Sequence, residues 1–151
     1  MKWLFSLLLV TGLCFAASEA SAQNYPLALG LRLSNSKPTL NNSISGKYFV
    51  TDKTAIEGLI AFGSKFGIGA LLEVHRPLDV ERLSWFYGGG AYLGFLDKNA
   101  YIGPTGITGL NYDFQNVPIN LSLDWKPELD IVPAVNFIPD AFALSVRFTL
   151  K

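Results

Sequence analysis

The sequence predicts an all-β chain that folds, after a cleaved signal peptide, into one eight-stranded antiparallel up-and-down transmembrane β-barrel. Eight segments that alternate apolar and polar residues follow one another, with turn residues between them. Only 16% of the residues are charged, whereas soluble domains typically have about 25%. After Ala22 no apolar run is long enough for a membrane-spanning helix, so any crossing of a bilayer would have to use strands.

The N-terminal residues have the features of a secretory signal peptide. Lys2 supplies a positive charge, and WLFSLLLVTGLCFAA (3–17) supplies a short apolar core. The sequence ASA (20–22) is a cleavage pattern of small residues. We therefore expect a signal peptide at 1–22 and a barrel domain at 23–151.

The charge balance and the cysteine content argue against several kinds of function. Twelve Lys and Arg residues balance twelve Asp and Glu residues, so nothing favours nucleic-acid binding. The only cysteine, Cys14, lies in the predicted signal peptide, so we expect neither disulfides nor thiolate metal sites in the mature chain. Metal-ligand spacing, phosphate-binding loops and nucleophile elbows are missing from the sequence. We expect no cofactor, no metal and no catalytic site.

The first four alternating segments share one design. In chain order they are LALGLRLSN (27–35), LNNSISGKYFV (40–50), TAIEGLIAF (54–62) and FGIGALLEVHR (66–76). Each has large aliphatic or aromatic residues on one face. The opposite face has small residues and few charges, which are Arg32, Lys47, Glu57 and Glu73 in turn. This period of two predicts half-buried strands.

The last four segments continue the pattern. They are SWFYGGGAYLGF (84–95), AYIGPTGITGLNYDF (100–114), PINLSLDWKP (118–127) and AFALSVRFTLK (141–151). The glycines of the first of these allow a strongly curved strand to bend, and Pro104 in the next indicates an edge, a bulge or a late start. The final two segments place Asp124, Lys126 and Arg147 on the polar face. Strands joined by short turns form antiparallel hairpins, and closure of the sheet removes its edges.

Alternation alone does not decide which face points inward, because a soluble barrel alternates too, with its apolar face inside. Three features favour an outward apolar face. The polar faces carry few charges among small residues, the apolar faces are too bulky for a narrow lumen, and aromatic residues such as Tyr48, Phe62, Trp85 and Trp125 lie near strand ends. The apolar wall would then contact lipid.

The inward-facing charges are expected to neutralise one another, because an isolated buried charge is costly. The predicted lumen network consists of Arg32, Lys47, Glu57, Glu73, Asp124, Lys126 and Arg147. Within it, we expect Arg147 to pair with Asp124 on the neighbouring strand. Arg32 and Lys47 are expected to balance Glu57 and Glu73, which could otherwise form a paired carboxylate site.

The longest connection, 127–140, is predicted to be a loop with unusual apolar content. Its apolar residues include Ile131, Val132, Val135, Phe137 and Ile138. With the N-terminus in the periplasm, an even number of strands directs this loop outward. It is a candidate extracellular contact loop for a partner or for lipid headgroups, and a lid packed on the barrel is an equal alternative.

With its signal peptide, its eight-strand meander, PINLSLDWKP (118–127) and the final FALSVRFTLK (142–151), the chain resembles the small β-barrel outer-membrane proteins of Gram-negative bacteria. These include the outer-membrane protein X type and the membrane domain of outer-membrane protein A. The resemblance implies a place in the cell outer membrane among its lipids, insertion by the barrel-assembly machinery, and a lumen plugged by polar side chains. It also implies a structural role or interaction with an envelope protein partner.

Three other functions stay open at this point. A narrow pore for ions or small solutes would need a wet path past the lumen charges, for which eight strands leave little room. A soluble periplasmic lipocalin-like binder would bury the apolar face instead. A lipid A-modifying enzyme would need a histidine near a serine on the lipid side. The single histidine, His75, is expected on the lumen face near the periplasmic end.

Overall fold

The computed structural model describes residues 26–35, 37–63 and 65–150. The predicted signal peptide and Cys14 lie outside these ranges. Ten strands are present in the described part: β1 (Leu27–Ser34), β2 (Ser43–Phe49), β3 (Thr54–Phe62), β4 (Phe66–Pro77), β5 (Leu83–Leu96), β6 (Asn99–Asp113), β7 (Ile119–Trp125), β8 (Glu128–Asp130), β9 (Asn136–Ile138) and β10 (Phe142–Leu150). None of the described residues belongs to a helix that is long and apolar enough to cross a membrane.

Eight of these strands close into a single antiparallel barrel. Around the barrel the order is β5, β4, β3, β2, β1, β10, β7 and β6, and pairing of β5 with β6 completes the ring. β1 forms the seam between the two ends of the chain, since it pairs with β2 on one side and with β10 on the other. The predicted all-β, eight-stranded antiparallel barrel is confirmed.

The segment 127–140 is not the simple loop that we predicted. It contains the hairpin of β8 and β9, in which Glu128 pairs with Ile138. β8 continues β7 in the same register on β6, because β6 pairs Thr108 with Trp125 and then Thr105 with Glu128. The sequence pattern predicts that the strand ends at Pro127. Proline lacks only the N–H, and its carbonyl still accepts a hydrogen bond from Gly106 at 3.2 Å, so the sheet resumes beyond it.

The two ends of the barrel differ, and each is named here by its connections. The N-terminal rim carries the start of β1 and the connections after β2, β4 and β6. The hairpin rim carries the connections after β1, β3 and β5 and the β8–β9 hairpin. The hairpin therefore extends one side of the barrel wall beyond the hairpin rim.

The polarity of the barrel is the reverse of that of a soluble barrel. Large apolar side chains cover the outer wall, and Leu33, Phe142 and Phe148 are 54%, 62% and 61% exposed. The strands direct most of their charged side chains inward, and Arg32 and Lys47 are 0% exposed, whereas Arg76 near the end of β4 is exposed. Seven of the buried apolar residues form one small cluster, which comprises Leu40, Leu59, Ala61, Leu71, Phe86, Tyr92 and Ile107.

Glycine at position 90 permits a close approach of two strands. A Cβ atom added to Gly90 would collide with the backbone carbonyl group of Ala70 on β4. We expect Gly90→Ala to lower the free energy of unfolding by about 1–3 kcal/mol, because backbone cannot move aside as a side chain can. Denaturant unfolding of the purified barrel measures this loss.

Gly58→Ala is the matched control, because a Cβ atom there would meet nothing within 4 Å. Alanine restricts the unfolded chain more than glycine does, so this variant should be neutral or slightly more stable. Equal losses of stability in the two variants would contradict the role given to Gly90.

Candidate functional site in the barrel interior

The interior holds the seven charged residues selected from the sequence, and each is at most 2% exposed. They lie in two groups. The central cluster contains Lys47, Glu57, Glu73 and Arg147 together with His75. The mouth cluster, near the hairpin rim, contains Arg32, Asp124, Lys126 and Glu128. Charges at this depth need partners, and each group supplies carboxylates beside its cations.

Arg147 is the hub of the central cluster. Its Nη2 donates to Glu57 Oε1 at 2.5 Å, and its Nε donates to Ser45 Oγ at 2.7 Å. Its Nη1 donates to Asn120 Oδ1 at 3.1 Å and to Ser122 Oγ at 2.9 Å. The guanidinium thus joins side chains of β2, β3 and β7 from its own position on β10. Its planar set of donors makes this possible, whereas an ammonium group is a point charge.

Lys47 lies between the two carboxylates that we considered as a paired site. Its Nζ is 2.8 Å from Glu73 Oε2 and 3.9 Å from Glu57 Oε2. The same Glu73 oxygen is 3.0 Å from His75 Nε2. The Lys47 ammonium also lies 4.6 Å from the centre of the Phe86 ring. Both carboxylates therefore converge on one lysine in a charge-balanced arrangement.

The predicted pairing of Arg147 with Asp124 is wrong. The register of β7 with β10 sets Arg147 opposite Asn120 and sets Asp124 opposite Ala143. Four residues along a strand correspond to about 13 Å, which separates the two charges. Which charges lie opposite each other therefore depends on the register between β7 and β10.

Asp124 pairs with Arg32 instead, which corrects the expectation that Arg32 balances Glu57 and Glu73. Arg32 Nη2 is 2.5 Å from Asp124 Oδ1, and its Nε donates to Oδ2 at 3.3 Å. β10 lies between the two strands that carry these residues. Its inward residues at this height are the small Ala143 and Ser145. A long guanidinium side chain can reach across them to β7.

Two buried acids of the interior were missed from the sequence. Glu128 is 0% exposed and binds Lys126 Nζ at 2.5 Å. Asp130 is 2% exposed and accepts a hydrogen bond from the Tyr92 hydroxyl at 2.6 Å. The signal was present, because the alternation that directs Lys126 inward continues through positions 128 and 130.

A chain segment also fills the lumen at the hairpin rim. Thr39 and Leu40 are 0% exposed and Asn41 is 1% exposed. We predicted that the second strand starts at residue 40, but it starts at Ser43 because the preceding residues turn into the barrel. Polar side chains are thus only part of what closes the lumen.

The N-terminal rim has an open cavity of about 540 Å³. His75, which is 5% exposed, lies at its inner side. The rings of Phe49 and Phe86 lie 5.0 Å from the imidazole on two sides. The charged residues that line the cavity have both signs, as Lys53 and Glu81 illustrate. This mixture favours neither an anionic nor a cationic ligand.

The residues of the predicted contact loop separate into two sets. Ile131, Val132, Val135 and Phe137 are 54%, 42%, 78% and 59% exposed. Ile138 is only 6% exposed, because neighbouring residues of a strand point to opposite faces and Ile138 lies on the face of β9 opposite to that of Phe137. The first four form an exposed apolar tip beyond the barrel wall.

The described ranges contain no group of three or more His, Cys, Asp or Glu side chains that could hold a metal ion. No known protein-family model matches the chain, and neither a curated protein nor a solved structure shows significant similarity to it.

Proposed function

We propose that this chain is an integral outer-membrane β-barrel of the small type represented by outer-membrane protein X and the membrane domain of outer-membrane protein A. In this proposal it is exported by its signal peptide and inserted by the barrel-assembly machinery. Its lumen is closed, and it serves as a structural wall element or as a docking point for an envelope partner.

The reversed polarity of the barrel carries this proposal. Burying an apolar side chain contributes about 1.5–3 kcal/mol, and a water-soluble fold would not leave a whole wall of such residues exposed. Ion pairs such as Arg32 with Asp124 occupy the place of a soluble core. A surrounding hydrocarbon phase accounts for both features. The apolar side chains of the wall can contact hydrocarbon, and the polar groups must then find their partners inside the protein.

The aromatic residues of the outer wall support the same reading. Phe62, Phe66 and Phe95 are direct neighbours across three strands near the hairpin rim. Near the N-terminal rim, Tyr112 and Phe114 form an edge-to-face pair with ring centres 5.0 Å apart. Aromatic girdles at two heights are typical of outer-membrane barrels, where they lie at the two interfaces.

Fractionation of expressing Gram-negative cells tests the membrane part of the proposal. The protein should remain in the outer-membrane pellet after alkaline carbonate washing, and it should dissolve only with detergent. On gels, the unheated sample should migrate differently from the boiled one, as a detergent-resistant barrel does. Recovery in the soluble periplasm without detergent would overturn the proposal and favour a lipocalin-like binder.

The closed lumen has a separate test. Purified protein reconstituted into a planar bilayer should show no steady conductance, because ion pairs and a chain segment fill the interior. A constant open conductance under the same conditions would reject the structural role and favour the narrow pore.

The proposal includes no catalytic role, and His75→Ala tests this. The imidazole lies inside the barrel against Glu73 and two phenylalanine rings, away from the apolar outer wall. We expect strains that express wild type and His75→Ala to have identical lipid A profiles by mass spectrometry. A change in lipid A acylation that depends on His75 would instead support a lipid-modifying enzyme.

A further inference from the structure

The segment 38–41, between β1 and β2, enters the mouth of the barrel at the hairpin rim. Pro38 is buried, as are the three residues that follow it. The Leu40 side chain belongs to the small apolar cluster of the interior. The segment therefore occupies space that would otherwise be lumen.

Three glycines of β4 and β5, Gly67, Gly69 and Gly94, lie against this segment and form its seat. A Cβ atom on Gly69 would collide with Leu40 Cδ1, and one on Gly67 would lie 3.3 Å from Leu40 Cδ2. Gly94 faces Thr39 in the same way. At these three positions the β4–β5 wall has no side chain, and the segment fills the space that side chains would otherwise take.

Two charged side chains hold the backbone of the segment. The Glu128 carboxylate accepts hydrogen bonds from the Thr39 N–H at 2.6 Å and from the Leu40 N–H at 3.0 Å. Arg32 Nη1 donates to the Leu40 carbonyl at 3.2 Å. Both sets of hydrogen bonds involve an ionised group, which strengthens them. Glu128 accepts two of them and Arg32 donates one longer bond, so Glu128 is the principal latch.

Both holders keep an ionic partner if the segment leaves. Glu128 is bound by Lys126 at 2.5 Å, and Arg32 is bound by Asp124 at 2.5 Å. Release therefore leaves no uncompensated charge in the barrel, which is the costly outcome when a buried ion pair is broken. Thr39 Oγ1, which is buried without a hydrogen-bond partner among the described residues, would gain water.

Contacts at both ends of the segment lie outside this seat. On one side, the exposed Lys37 Nζ is 2.6 Å from Asp140 Oδ2. On the other, the Asn42 carbonyl accepts a hydrogen bond from the Phe62 N–H at 3.0 Å, and its side-chain oxygen accepts one from the Ser34 N–H at 3.0 Å. These contacts can persist while the residues between them move.

We propose that residues 38–41 are a displaceable plug, latched by Glu128, whose departure opens the lumen at the hairpin rim. The plug itself follows from the contacts inside the barrel. It goes beyond the proposed membrane function and does not depend on it.

Thiol labelling of Thr39→Cys in the full chain measures the opening directly. Cys14→Ser removes the only native cysteine, so maleimide reports position 39 alone in folded, detergent-solubilised protein. Adding Glu128→Gln should raise the labelling rate at least about tenfold, because the variant loses one acceptor and the charge that hold the segment. An unchanged labelling rate in folded Glu128→Gln would overturn the proposal.

Asp130→Asn is the matched control. It is the same acid-to-amide change on the same short strand, and the acid it replaces is bound by the Tyr92 hydroxyl rather than by the plug. We expect the labelling rate to stay that of the parent. If Asp130→Asn accelerates labelling as much as Glu128→Gln does, general loosening of the hairpin explains the result and the latch is rejected.

A disulfide lock tests the plug with Glu128 intact. A Cβ atom at position 94 would lie 3.6 Å from Thr39 Cβ, within the range of about 3.5–4.5 Å found in disulfides. In the Cys14→Ser background, the Leu40 amide of reduced Thr39→Cys/Gly94→Cys should exchange with deuterium through opening of the plug, and oxidation should slow that exchange at least about tenfold. Equal exchange rates in both redox states would overturn displacement of the plug. Failure of the protein to fractionate with the outer membrane would reject the membrane function, while exchange and labelling in detergent would still decide the plug.

Discussion

Arg147→Met is expected to lower the free energy of unfolding by about 3–5 kcal/mol, because removal of one member of a buried ion pair leaves the other charge uncompensated. Arg147 is 1% exposed and Glu57 is 0% exposed. The methionine also leaves the hydroxyl groups of Ser45 and Ser122 without their guanidinium donor. Denaturant unfolding in detergent or lipid, followed by tryptophan fluorescence, measures the loss.

The double variant Arg147→Met/Glu57→Gln separates lost charge pairing from lost packing. Neutralising Glu57 removes the uncompensated carboxylate, so the double variant should recover a large part of the stability lost by Arg147→Met. Arg147→Lys should fall between wild type and methionine, because it keeps the charge but not the planar set of donors. The single variant Glu57→Gln supplies the comparison. If the stability lost by the double variant equals the sum of the losses in Arg147→Met and Glu57→Gln, the ion pair does not contribute the stability assigned to it.

Val146→Arg is expected to produce the second large effect, and it tests what surrounds the barrel. Val146 lies at the middle of β10 on the outer wall and is 41% exposed. In a membrane, arginine at mid-depth of a barrel's lipid face costs about 2–4 kcal/mol. Folding into lipid vesicles should therefore become less favourable by that amount, and less protein should reach the outer membrane.

Val80→Arg is the control for this prediction. Val80 is 59% exposed, but it lies in the connection between β4 and β5 at the N-terminal rim. The same substitution there should change folding by no more than about 0.5 kcal/mol, as surface changes usually do. If Val146→Arg is tolerated as well as Val80→Arg, the outer wall does not face hydrocarbon.

The inward direction of the charged residues could be predicted because it follows from local alternation. For Asp124 and Lys126, the position along the strand sets the face of the sheet on which the side chain lies. The partner of each charge could not be predicted in this way. Arg32 meets Asp124 across β10, and 92 positions separate the two residues in sequence, so no local pattern links them.

At the plug and at the β8–β9 hairpin, the sequence pattern predicts the wrong strand boundaries. The alternating run 40–50 predicts a strand that begins at Leu40. In the structure Leu40 instead lies inside the barrel, against glycines of β4, and its N–H donates to the Glu128 carboxylate. The sequence pattern predicts that a strand ends at Pro127, but pairing with β6 resumes one residue later in β8.

Local patterns in the sequence are sufficient to predict the all-β class, the eight strands of the barrel and the inward direction of the seven charged residues selected from it. These properties depend on a period of two within single strands and on the turn residues between them. Which charges pair, which segment fills the mouth and where the wall extends beyond the barrel follow only from the folded barrel. Those outcomes depend on the register between strands and on the space that glycines leave inside, and both arise only when the barrel has closed.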